Sequence, residues 1–232
     1  MSIHLSHLMS PWARPLPAAP PWAEVEQVPP PCPVTLGDRL VCQVDDTSCG
    51  AAVLLMLNAT GDPALGAHLD EHPEELDPRQ RELKRAALAG SLGPLSWPAA
   101  LGIPPWALAK AARFPGVDYH PRPFVDRGEE GRAVLNAVKN ATNAGIPVPL
   151  YTGSDVRSGL GAAVPRHVVL AVPPPEPEPQ PILTIYEPSR GMLHTVRLAE
   201  LVNRSEPMDA LGGWTHVVWA LLPRPRKERH GR

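Results

Sequence analysis

The sequence contains little of what several classes of protein require. It has only 3 cysteines among 232 residues, Cys32, Cys42 and Cys49. An odd, closely spaced set argues against a disulfide framework and fits a reducing compartment. There is no CxxC pair and the histidines are scattered, which argues against a structural zinc site. We therefore expect neither a metal nor a cofactor.

Neither sign of charge is in excess, and long apolar runs are missing. The formal net charge is -2, so we expect no nucleic-acid surface. No stretch reaches the roughly 18 apolar residues that a membrane span needs. Residues 1 to about 33 also lack the charged start and apolar block of a secretory signal. We predict a cytoplasmic protein without a membrane span, whose oligomeric state the sequence leaves open.

Proline is the residue in excess, with 32 positions where about 5% of a chain is usual. Its clusters suggest a proline-rich N-terminal arm at 1–33, one folded domain at 34–222 and a basic C-terminal tail at 223–232. We expect the arm to be either poorly ordered or laid across the domain surface. In the second case Trp12 and Trp22 are the side chains that would dock.

Hydrophobic periodicity and turn residues place most helices in the first half of the domain and most strands in the second, which is typical of the α+β class. A glycine- and serine-rich loop is expected at 152–163. The predicted helices are 49–61, 64–70, 77–89, 106–113 and 128–145, and the predicted strands are 119–125, 146–151, 167–172, 182–186, 192–196 and 214–222.

The stretch from Gln43 to Met56 is the most informative. Residues 45–48 (Asp-Asp-Thr-Ser) are all types whose side-chain oxygens accept the N–H groups of a first helical turn, and an apolar run follows from Ala51. Cys49 would then begin a buried helix, whose dipole favours a nucleophilic thiolate. The Gln43 amide would be placed to donate to an oxyanion. The alternative is a small buried cysteine without chemistry.

A candidate base and a candidate acid lie on two later strands. His167 begins one apolar strand and Glu187 ends the next, with a proline-rich insert at 173–181 between them. Antiparallel pairing of the two strands would bring His167 beside Glu187. The carboxylate would then hold the second N–H of the imidazole and fix its tautomer. The alternatives are an ordinary packed histidine and a carboxylate that caps Ser189 or pairs with Arg190.

In this order the motifs resemble the papain-like cysteine peptidases, and more closely the family that processes bacteriocin leaders after a double glycine. The resemblance spans roughly residues 38–222 as separated motifs. It departs from the family where Glu187 and Ser48 replace aspartates, over residues 62–130, and in lacking transporter segments. The matching motifs are Gln43, Ser48-Cys49-Gly50, Met56, Gly61, Gly145-Ile-Pro-Val148, His167-Val-Val and Glu187-Pro-Ser-Arg-Gly191.

The resemblance implies a papain-like α+β fold and a peptide or protein substrate. It also implies that Cys49 is the nucleophile, His167 the base and then the acid, Glu187 the orienting group and Gln43 the oxyanion donor. We therefore expect a thiol-dependent hydrolase that cleaves a peptide or amide bond through an acyl-enzyme. Two alternatives stay open: an inactive binding or scaffold protein, and a transglutaminase-like acyl or amine transferase on the same fold.

Overall fold

The computed structural model of the protein describes residues 14–153 and 167–226. Within them, five α-helices accompany an antiparallel sheet of seven strands, which confirms the α+β class. The helices are α1 (Cys49–Gly61), α2 (Pro63–Glu71), α3 (Leu76–Leu88), α4 (Pro105–Ala111) and α5 (Gly128–Asn143). The strands are β1 (Cys32–Pro33), β2 (Thr35–Leu36), β3 (Arg39–Leu40), β4 (Val117–Pro123), β5 (Val148–Gly153), β6 (His167–Val172), β7 (Ile182–Glu187), β8 (Met192–Arg197) and β9 (His216–Pro225).

The strand order in the large sheet is β1-β8-β7-β6-β5-β9-β4, and β2 and β3 form a separate ribbon. Pro147 and Pro149 are typical of an edge strand or of a bulge. The strand is not at an edge, since β5 lies between β6 and β9, but its register with β9 shifts between Tyr151 and Thr152, as at a bulge. The pairing of β5 with β9 begins only at Leu150. Pro149 therefore precedes the paired residues, and its missing N–H costs no hydrogen bond to β9. β9 extends to Pro225 because it pairs with β4, and it therefore takes up the start of the predicted tail.

The sheet separates two apolar cores. Along β6, Val168 and Leu170 pack into the core around α1, whereas Val169 and Ala171 pack into the core beside α5. This alternation follows from the two-residue period of a strand. The first seven residues of α1, Cys49 to Leu55, are all buried, as expected of a helix that enters a core. The first residue of α1 is thereby fixed against the sheet.

Residues 14–31 lie as irregular chain across the domain surface. Three arginines of the domain, Arg122, Arg132 and Arg197, donate hydrogen bonds to backbone carbonyls of this segment. The guanidinium of Arg132 also stacks 4.4 Å from the ring centre of Trp22. The arm is therefore attached to the domain at several points along its described length.

The proline-rich connection at 173–181 is held by the end of α5. The Asn143 side chain donates to the Glu178 carbonyl at 2.9 Å and accepts from the Glu178 N–H at 3.2 Å. Lys139 donates to the same carbonyl at 2.5 Å. The connection is thus mostly exposed, but it is docked on the end of α5.

Several predicted features lie outside the described residues: Trp12, the loop from 154 to 163, and the tail from 227 onward. Among the helices of residues 14–153 and 167–226, none combines the length and apolar character needed to cross a membrane.

Candidate active site

Cys49 is the first residue of α1 and is 3% exposed. Contrary to expectation, the Ser48 side chain does not cap this helix. Its hydroxyl instead donates to the Asp45 carbonyl at 2.8 Å and accepts from the Asp45 N–H at 2.7 Å. Asp45 in turn accepts from the Thr47 N–H at 2.8 Å. Because these side chains bind their own loop, Ser48 leaves the positive end of the helix without a side-chain cap.

Two side chains of α3 hold this loop, which we call the Gln43 loop (residues 42–48). Gln80 donates to the Cys42 carbonyl at 2.8 Å. One turn later, Lys84 pairs with the Asp45 carboxylate at 3.1 Å and donates to the Thr47 hydroxyl at 2.5 Å. Our reading of the sequence missed both residues. Gln80 occupies the buried face of α3 between apolar residues, and a polar residue at such a position is the signal that could have found it.

Gln43 lies where the Gln43 loop meets the turn that follows β7. Its backbone N–H donates to the Pro188 carbonyl at 2.8 Å, next to Glu187. Its side-chain amide donates to the Asp45 carbonyl at 2.9 Å. An amide nitrogen carries two hydrogens, so one remains after this bond. The structure therefore brings Gln43 to the turn of the predicted acid and directs its amide toward the chain just before Cys49.

His167 and Glu187 form a buried pair. Nε2 of His167 lies 2.8 Å from Oε1 of Glu187, and the residues are 7% and 0% exposed. The antiparallel register of β6 and β7 pairs Leu170 with Tyr186. If this register continues by one residue, Glu187 lies across from Val169. Val169 and His167 are two residues apart and therefore point to the same face of the sheet. Since Nε2 faces the carboxylate, Nδ1 is the ring nitrogen left for the hydrogen bond between His167 and Cys49.

The electrostatics of the pair favour charge on both partners. Burial lowers the pKa of His167, but hydrogen bonds to Cys49 and Glu187 and the charges of both outweigh it and raise the pKa from 6.5 to about 9. Burial raises the pKa of Glu187, but hydrogen bonds from His167 and Ser189 outweigh it and lower the pKa from 4.5 to about 2. At neutral pH the imidazolium therefore has one N–H for the carboxylate and one for the sulfur.

The Glu187 carboxylate also organises the turn after β7. It accepts from the Ser189 N–H and hydroxyl, both at 2.8 Å, and from the Arg190 N–H at 3.0 Å. The sequence leaves open whether Glu187 caps Ser189 or holds the histidine, and in the structure it does both. These donors fix the carboxylate, and the carboxylate in turn fixes the ring.

A cleft of about 280 Å³ reaches the imidazole of His167. Of the four candidate residues, His167 is in its lining, and Cys49, Glu187 and Gln43 are not. Its lining residues are Asp46, Thr47, Ala100, Leu101, Gly102, His167 and Trp214.

Behind the imidazole lies a tight turn that follows the 3₁₀ turn Asp209–Leu211. Gly212 has φ +68°, and a β-carbon there would stand 2.4 Å from Cδ2 of His167. Thr152 donates to the Leu211 carbonyl at 3.1 Å and so anchors this turn to β5. The ring of His167 is thus positioned by a residue that must lack a side chain.

A second histidine–aspartate pair serves the fold rather than the cleft. Nδ1 of His216 lies 3.1 Å from both carboxylate oxygens of Asp126, which also accepts from the Val217 N–H at 3.1 Å. Both members of the pair are buried, and neither lines the cleft. In the part of the chain that the structure describes, no group of three or more His, Cys, Asp or Glu residues could hold a metal ion.

No protein-family model matches this chain, and no curated protein matches it. The resemblance to papain-like peptidases therefore remains a prediction drawn from the motifs.

Proposed function

We propose that the protein is a thiol-dependent hydrolase of peptide or amide bonds, built on a papain-like arrangement. The observation that carries the proposal is the 2.8 Å bond between buried His167 and Glu187, together with the hydrogen bond from the same imidazole to Cys49. The proposed nucleophile lies on α1, the base on β6 and the orienting acid on β7. The base stands between the other two, which is the arrangement that acyl transfer to a thiol needs. A helix that carries the thiol and a sheet that carries the other two support the papain-like comparison.

In the acylation step, the Cys49 thiolate attacks the carbonyl carbon of the substrate, and a sulfur–carbon bond forms. The carbonyl oxygen becomes negative and accepts from the backbone N–H of Cys49 and the second amide hydrogen of Gln43. His167 gives its proton to the leaving amine as the carbon–nitrogen bond breaks. An acyl-enzyme and a free amine result.

In the deacylation step, neutral His167 takes a proton from water, whose oxygen attacks the thioester carbon. The carbon–sulfur bond breaks, the carboxylic acid leaves, and the thiolate–imidazolium pair is restored. Glu187 remains ionised throughout and stabilises the imidazolium, as the acid of such a triad does.

Selective alkylation tests the nucleophile. Low concentrations of iodoacetamide near neutral pH should label Cys49 faster than exposed Cys32, despite the burial of Cys49. Cys42 should react slowly, because burial and the charge of Glu187 raise the pKa of its thiol. Peptide mass mapping distinguishes the three sites. Equal or slower labelling of Cys49 relative to Cys32 would contradict the proposal.

Variants sharpen this experiment. Cys49→Ala should remove the fast labelling, and His167→Ala should slow it about 100-fold or more, because the thiolate loses its counter-ion. His72→Ala is the matched control, since the His72 ring is exposed and, among the described residues, its hydrogen bond is to the Glu74 carboxylate. Turnover of a peptide mixture with and without an added alkylamine then separates hydrolysis from transfer. Only a transferase would join the amine to the product.

A further inference from the structure

We propose that the cleft beside His167 selects a substrate residue with a cationic side chain, lysine or arginine, through Asp46 and Trp214. The inference rests on the proposed function, because the cleft matters to a substrate only if Cys49 is the nucleophile.

Among the described residues that line the cleft, Asp46 carries a carboxylate that no nearby cation neutralises. It is exposed and lines the cleft three residues before Cys49. Within residues 14–153 and 167–226 it has no hydrogen bond or ion pair, whereas neighbouring Asp45 pairs with Lys84 at 3.1 Å. The positive charge of His167, the other ionisable side chain of the lining, is already opposed by Glu187 at 2.8 Å. A cation that enters the cleft therefore meets the Asp46 carboxylate, which no cation among the described residues pairs with.

The rest of the lining suits an alkyl stem that ends in a cation. Ala100 and Leu101 offer apolar contact, and Trp214 contributes an indole, the aromatic ring that attracts cations best. The volume of about 280 Å³ is just below the roughly 300 Å³ at which small-molecule pockets begin. One side chain fits such a cleft, and a bulky ligand does not.

Three iodoacetamides of matched length test this preference on Cys49 itself: N-(4-aminobutyl), N-pentyl and N-(4-carboxybutyl) iodoacetamide. At pH 7 and low salt, the cationic reagent should alkylate Cys49 about five- to tenfold faster than the neutral one, as expected for a partly exposed ion pair with an aromatic neighbour. The anionic reagent should be the slowest. Added salt should reduce the difference.

Asp46→Asn should bring the cationic and neutral rates within about twofold of each other. Asp46→Lys should make the anionic reagent the fastest. The Asp46 side chain makes no hydrogen bond or ion pair with the described residues, so neither change removes one from the fold. Glu176→Gln removes the same charge from the exposed proline-rich connection and should keep the wild-type order.

Equal rates for the three reagents, or a cationic preference that survives both Asp46 substitutions, would overturn the inference while Cys49 remained a reactive nucleophile. A Cys49 that reacts with none of the three would overturn the proposed function, and this inference with it.

Discussion

Gly212 lies so close to His167 that a β-carbon on the glycine would stand 2.4 Å from Cδ2 and 2.5 Å from Nε2 of the ring. Nε2 is the atom that bonds Glu187. Gly212→Ala should therefore displace the imidazole and lower kcat/KM about 100-fold, the usual result of moving a catalytic group by about 1 Å. Steady-state kinetics on a peptide substrate measures this loss.

Gly213→Ala provides a matched control. Gly213 also has a positive φ, +80°, but a β-carbon there would meet no atom within 4 Å. Both substitutions carry a similar backbone strain of about 1 kcal/mol, whereas only Gly212→Ala touches the ring. Equal losses of activity in the two variants would show that strain, and not contact with His167, is responsible.

The raised pKa of His167 predicts the alkaline limit of activity. In the proposed mechanism the imidazole must carry a proton to protonate the leaving amine, so kcat/KM should fall as pH rises through about 9. Glu187→Gln removes one of the charges that raise this pKa, so the alkaline limit should move to lower pH. A pH profile of kcat/KM for both proteins tests this. An unchanged alkaline limit in Glu187→Gln would contradict the assigned role of Glu187.

The same pair predicts how stability depends on pH. The folded pKa of Glu187 is lowered from 4.5 to about 2, so its contribution is present above 4.5 and lost as pH falls toward 2. The folded pKa of His167 is raised from 6.5 to about 9, so its contribution is present below 6.5 and lost as pH rises through 9. Both contributions are complete only between pH 4.5 and 6.5.

Urea unfolding of the wild type and Glu187→Gln across pH 3 to 10 measures this dependence. The stability difference between the two proteins should be largest at pH 5 to 6 and should shrink on either side. A difference that does not change with pH would mean that the pair contributes packing alone. Glu176→Gln, on the exposed connection, should show no such maximum.

The sequence predicts the parts of the site that depend on local patterns. The start of α1 at Cys49 follows from a polar run before an apolar one. The approach of His167 to Glu187 follows from two apolar strands joined by one connection. Both inferences need only neighbouring elements, and the observed bounds of β6 and β7 differ from the predicted ones by at most one residue.

The parts that the sequence does not predict depend on contacts between distant elements. Gln80 meets Cys42 across 38 residues, and Gly212 meets His167 across 45 positions of the chain. Nothing in the local sequence of either residue specifies such a partner. The interior place of β5 likewise depends on β9, which comes much later in the chain. Ser48 does not cap α1, although its residue type favours capping, because the backbone N–H and carbonyl of Asp45 occupy its hydroxyl.

Lys84 gives a final prediction, because it holds the loop that carries Gln43 without touching the cleft. Lys84→Met removes the pairing with Asp45 at 3.1 Å and frees the loop before Cys49. Since the loop positions the proposed oxyanion donor, kcat should fall about tenfold while KM changes little, the pattern of an interaction made only in the transition state. Lys84→Arg keeps the charge and should restore most of kcat.

Arg81→Met is the control for Lys84→Met. Arg81 is exposed on the same helix, and its side chain makes no hydrogen bond or ion pair within the described residues, so its replacement should leave kcat unchanged. Thermal unfolding of the variants shows whether stability alone accounts for any effect. If Lys84→Met lowers the unfolding temperature but keeps kcat at low temperature, α3 stabilises the loop without positioning the oxyanion donor. A loss of kcat in a fully folded Lys84→Met, restored by arginine, would instead tie the geometry of the Gln43 loop to the chemical step.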